Sequence, residues 1–314
     1  MQFWALLVDS FRESLDRKIF WVMAALTMIV TLAMLSVGFE SDRIVLFFGM
    51  WEPRTDHFNP LTIMGRSRIA GIVVHGLMDF FLGTIGVVLM IIATAGMFPS
   101  FTERGAIDVV LAKPIGRCRL FLLKYVTCLV FALVQASLFV VLTFLAMGLR
   151  WGVWVPGYLI SIPLLVILFS YVFCVTVLVG VKTQSTIAAI LLSIAAWVLF
   201  ATPAVVLTFF DSYPDLKKNK QVYQVVRVAA WIPPKTSDIP YLAARWSQAG
   251  TSVDLLPESV FMAGTDEDRE QMRATKKVEE DLLAKSPWIS IGTSLAFEAV
   301  VLLAAMWSFA KRDY

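Results

Sequence analysis

Six apolar runs constrain this chain more than anything else in it. They fall at about 19–39, 72–98, 120–148, 153–180, 187–210 and 288–310, and none carries more than an occasional ionisable residue. A hydrocarbon core of about 30 Å needs about 20 residues of helix at 1.5 Å per residue, so each run is long enough to cross a bilayer. A helix satisfies all its backbone groups internally, so six crossing helices are what such runs can become. The fold class expected is therefore all-α, a polytopic membrane protein with six transmembrane helices. Composition agrees: 58% of the 314 residues are apolar, and ten tryptophans are available for interfacial belts. Mean hydropathy is +0.75.

The remaining segments divide the chain. Residues 1–18 place Phe3, Trp4, Leu7, Val8, Phe11 and Leu15 on one stripe opposite Asp9, Arg12, Glu13, Asp16 and Arg17, the pattern of an amphipathic helix lying in the membrane interface. Its charges and apolar residues are interleaved, unlike the ordered regions of a secretory signal. Residues 19–210 hold five spans. Residues 211–287 form the one long stretch polar enough to fold in water, an extracytoplasmic loop or small helical insert. Its first part, with Pro233, Pro234 and Pro240, reads as short broken helices, and the charged run 264–285 reads as a solvated helix. Residues 288–314 are the sixth span and a tail with Lys311 and Arg312. Basic residues near span ends favour an orientation with both termini cytoplasmic, in a multi-pass protein of the cell membrane.

Segment 99–119 is over-specified for a connector. Between spans two and three it holds Glu103, Arg104, Asp108, Lys113, Pro114, Arg117 and Arg119 with a helix start, an amphipathic turn and a Lys-Pro stop. A docking surface explains that density of features. Anchoring of the neighbouring spans to lipid headgroups explains the basic residues alone, and membrane lipid is a partner on either reading.

Catalytic chemistry is absent from the pattern. No G-x-x-x-x-G-K-[ST] loop occurs, and Gly180-Val181-Lys182-Thr183 lacks both the spacing and a preceding strand. No cofactor or metal site is expected: the three cysteines, Cys118, Cys128 and Cys174, have no ligand spacing, and the two histidines are His57 and His75. A net charge of +3 gives no reason to expect nucleic acid. Three ionisable residues inside spans stand out. His75 and Asp79 share a face near one end of the second span. Glu298 sits near the middle of the sixth, where a carboxyl must be protonated, paired or exposed to a wet path. It either lines a pathway or makes a helix–helix hydrogen bond.

Segment 105–117, GAIDVVLAKPIGR, resembles the permeases of the ABC-2 export class of ABC transporters through Glu103, Gly105, Ile107, Val110, Leu111, Lys113, Pro114 and Arg117. FRESLDRKIFW at 11–21 is similar to that family's N-terminal helix, and AAWIPPKTSDI at 229–239 to its proline-bearing segment. The charged insert 250–285 departs from the pattern. The resemblance implies a permease subunit that forms a translocation path as a dimer with a second permease subunit, the same chain or a related one. It implies coupling to separate ABC ATPase subunits, which bind ATP and Mg, through Glu103, Gly105, Asp108, Lys113, Pro114, Arg117 and Arg119. This chain would then be no enzyme itself. Two other classes stay open from the residues: a polytopic membrane enzyme using Glu298 with His75 and Asp79, and a non-transporting membrane scaffold.

Overall fold

The computed structural model describes residues 18–39, 43–53, 76–102, 116–212, 224–226, 233–248 and 286–312, together with 228 and 231. The interfacial helix expected at 1–18, apart from its last residue, and the charged run 264–285 lie outside the described residues. The described part is mainly helical, and six helices in it are long and apolar enough to cross a membrane, the plan of a multi-pass membrane protein.

Helix α1 is Lys18–Ser36. Its Thr27 and Thr31 hydroxyls donate to Met23 O and Thr27 O at 3.0 and 2.8 Å, so neither side chain brings an unsatisfied donor into an apolar run. The connection after it begins with an antiparallel ribbon, β1 Gly38–Phe39 on β2 Ile44–Val45. An exposed Arg43–Glu52 ion pair at 2.6 Å closes it, a contact worth about 0–1 kcal/mol.

The second crossing differs from the single helix expected. It is made of a π-helical stretch Gly76–Gly86, then α2 Val87–Thr94, two residues, Ala95 and Gly96, that stay right-handed helical, and a short α3 Met97–Phe101. Pro99 falls in the first turn of α3, where its missing N–H costs no helical bond. Thr102 ends the piece, its hydroxyl reaching Phe98 O and Pro99 O.

Helix α4, Arg117–Trp151, has 35 residues and so runs about 52 Å, longer than a hydrocarbon core of about 30 Å. Gly152 stops it in the left-handed region at φ 66°, where a glycine carries no Cβ penalty. Trp151 Nε1 and Arg150 Nε both donate to Val37 O, tying this end to the end of α1. A 3-10 turn, Pro156–Ile160, leads into α5 Ser161–Thr183, and α6 Thr186–Ser212 follows after two residues. The insert contributes α7, Asp238–Gln248, which lies against the 3-10 turn. Gly157 permits that approach: a Cβ there would run into the backbone carbonyl of Ser247. Last comes α8, Pro287–Lys311, with proline at its first position, where helices accept it best. Exposed Trp288 and Trp307 lie about 28 Å apart on α8, the spacing of two membrane interfaces.

The core sits around α5, whose span is 72% buried, whereas the span of α6 is 6% buried. Phe169 and Phe173 of α5 stack at 4.9 Å, and Tyr125 of α4 stacks on Phe173 at 5.5 Å. Phe121 meets Phe98 at 5.3 Å and Phe309 at 5.8 Å, joining α3, α4 and α8. Between membrane helices such contacts act through dispersion and shape, because lipid tails are as apolar as the core.

Candidate functional site

Two sites involve residues that the sequence singles out, one at a bundle end and one at mid-depth. The first is the exit of segment 99–119. Glu103, Gly105, Asp108, Lys113 and Pro114 lie outside the described residues, so the described geometry begins at Arg117. Gly116 is extended, with φ −61° and ψ 139°, and α4 starts from it. Antiparallel packing then lays the start of α4 beside the end of α8.

The last four carbonyls of a helix have no partner within it, and they form the negative end of its dipole. Arg117 Nη1 donates to one such carbonyl on α8, Ala310 O at 3.0 Å, and to Arg312 O just past the helix at 3.1 Å. Arg312 in turn sends Nη1 to Val181 O at 2.5 Å and Lys182 O at 3.4 Å, at the end of α5. Gln184, left-handed at φ 53° where α5 stops, donates Nε2 to Thr102 O at 3.3 Å. Charge-assisted donors are the stronger kind of hydrogen bond. The ends of α3, α4, α5 and α8 are thereby linked by side chains that cap helices to which they do not belong.

Arg119 points outward and is exposed, as are Lys182 and Lys311. Lys311 Nζ stands 4.2 Å over the exposed Trp307 ring, a cation–π pair suited to a headgroup interface. Lys124, one turn further up α4, is buried, with its amine 5.6 Å over Phe101. The described residues at this end, 97–102, 116–124, 178–188 and 305–312, include no aspartate or glutamate. Its character is basic.

The second site centres on Glu298. Five residues of α8 are buried, Ser290, Ser294, Glu298, Ala305 and Phe309, and they trace one stripe along the helix. Tyr125 OH donates to Glu298 Oε1 at 2.6 Å, and Ser170 Oγ lies 2.9 Å from Oε2. One carboxyl thus ties α4, α5 and α8 together. One turn nearer the start of α8, Ser294 Oγ accepts from Lys235 N at 3.0 Å. One turn further, Ser290 Oγ donates to Asp238 Oδ2 at 2.5 Å. Tyr171 is fully buried with its hydroxyl beside Ser294, and Thr236 Oγ1 makes no hydrogen bond among the described residues.

His75 lies outside the described residues, and Asp79 is described only as part of the π-helical stretch Gly76–Gly86. Arg117 and Glu298 belong to separate sites, since α8 rises about 18 Å between Glu298 and Ala310. Among the described residues no group of three His, Cys, Asp or Glu side chains is arranged to hold a metal ion. No family model matches the chain, and no curated protein matches it.

The sequence reading missed Tyr125, Ser170, Ser290, Ser294, Asp238 and Arg312. The spacing 290, 294, 298 was a visible clue, because three polar residues four apart in an apolar run share one face. Arg312 had no local signature. Its acceptors are carbonyls, and these carry no mark in sequence.

Proposed function

We propose that the chain is a transmembrane permease subunit of an ATP-driven exporter of the ABC-2 class. It forms its translocation path as a dimer with a second permease subunit and is coupled to separate ATPase subunits through segment 99–119. Both termini then face the cytoplasm, and the basic end described above is the cytoplasmic one. ATP and Mg belong to the partner ATPase.

The observation that carries this reading is the double arginine clamp. Arg117, two residues before the end of segment 99–119, is fastened to the end of α8, and Arg312, the residue after α8, is fastened to the end of α5. A push on the segment would therefore reach three spans at once instead of bending one loop. Energy entering from outside the chain needs such a rigid entrance, because the sequence contains no phosphate-binding loop of its own. Arg119, exposed and free of the clamp's geometry, is placed to meet acidic side chains on a partner.

The test is capture of the nucleotide-binding subunit encoded in the same genome, co-expressed with the full chain. Arg119→Glu combined with Lys113→Glu is expected to lower the captured ATPase at least about tenfold, with the membrane level of the chain unchanged. Capture equal to wild type would overturn the reading. Arg117 is unsuited to this test, because its replacement also removes a helix cap.

A further inference from the structure

The proton inventory around Glu298 does not close with one arrangement. Ser170 has a single hydroxyl proton and two acceptors within reach, Ile167 O at 2.8 Å and Glu298 Oε2 at 2.9 Å. If the proton points at Glu298, the carboxylate receives two hydrogen bonds, from Ser170 and from Tyr125. If it points at Ile167 O, two oxygens face each other at 2.9 Å, and that contact is favourable only when Oε2 carries a proton and donates it to Ser170 Oγ. Tyr125 OH donates to Oε1 in both cases. The same heavy-atom positions satisfy a charged and a neutral carboxyl, and rotation of one hydroxyl separates them.

The stripe on α8 is also directional. From Glu298 towards α7 it continues as Ser294 and Ser290, ending at the half-buried Asp238 of α7, with the buried Tyr171 hydroxyl beside Ser294. Towards the basic end it continues as Leu302, Ala305 and Phe309, the last two fully buried, with Phe309 among the rings of Phe101 and Phe121. On α8 itself the inward stripe is polar on one side of Glu298 and apolar on the other. Among the described residues, the titratable groups on the elements packed around it are Tyr125, Cys128 and buried Lys124 from α4, Tyr171 and Cys174 from α5, and Asp238 from α7.

We propose that Glu298 is a proton-binding site that exchanges with the aqueous phase at the α7 end of the bundle. Uptake forms an O–H bond at Oε2 with a proton supplied by water, and the Ser170 hydroxyl turns to Ile167 O. Release reverses both. The site joins α4, α5 and α8, so its occupancy sets which hydrogen bonds hold those helices together. This goes beyond the proposed function and does not depend on any ATPase.

The test is infrared difference spectroscopy on the purified full chain in lipid nanodiscs, titrated between about pH 4 and pH 10. A protonated-carboxyl C=O band that appears towards low pH and disappears towards high pH is expected, and Glu298→Gln should remove it. Ser170→Ala should shift the band to higher frequency, because the neutral acid loses its acceptor. Ser294→Ala should slow its hydrogen–deuterium exchange. A carboxyl spectrum without any change over this range, or one that Glu298→Gln leaves intact, overturns the site. If Glu298→Gln fails to fold, the Ser170→Ala shift decides, and a titrating band that it does not move counts against the site. Exchange as fast in Ser294→Ala as in wild type overturns the route.

Discussion

The two halves of α8 solve opposite problems with one helix. The first half turns Ser290, Ser294 and Glu298 inward and must find a partner for each, which it does on α4, α5, α7 and the backbone before α7. The second half turns Ala305 and Phe309 inward, has no such debt, and ends in carbonyls that Arg117 caps from another helix. The first half is adjustable, because hydroxyl protons can be reassigned without moving atoms. The second is fixed by ring contacts and a guanidinium. Interiors that must move a proton and interiors that must carry a push differ in this respect.

Truncations that break the comparison rank by how much fixed packing they remove. Phe309→Ala removes a fully buried ring lying between Phe101 and Phe121 and should cost about 3–5 kcal/mol, read as a lower midpoint in unfolding of the protein in mixed micelles. Arg117→Ala leaves two carbonyls uncapped and should cost about 1–3 kcal/mol, with Arg117→Lys, whose ammonium also carries several donors, recovering part of it. Tyr125→Phe removes one hydrogen bond from the adjustable half and should cost about 0.6–1.7 kcal/mol, the range for interhelical hydrogen bonds in membranes. Leu199→Ala on the exposed face of α6 should fall within about 0.5 kcal/mol of wild type. A Tyr125→Phe cost larger than that of Phe309→Ala would reverse the assignment of the two halves.

Much of the architecture could be read from residues alone, because membrane crossing depends on length and apolarity, both local properties. The expected run 288–310 became Pro287–Lys311, and 153–180 became the 3-10 turn and α5. The π-helical stretch Gly76–Gly86 could not be read, since the apolar run continues through it. Sites were harder. Glu298 stood out as a carboxyl at mid-span, yet its partner Tyr125 is 173 residues away in the chain and looks like any aromatic in an apolar helix. Arg117 was assigned to partner contact from its place in a motif. Its cap on α8 depends on how α4 and α8 pack, which no local pattern records.

The clamp is the central claim, and an interhelix distance tests it most directly. Spin labels at Arg119→Cys on α4 and Lys311→Cys on α8, with Cys118→Ser removing the exposed native thiol, report whether the two helix ends form one body. A single narrow distance distribution is expected, and it should broaden when Arg117→Ala is added. A distribution already broad with Arg117 in place, or one that Arg117→Ala leaves narrow, would contradict it.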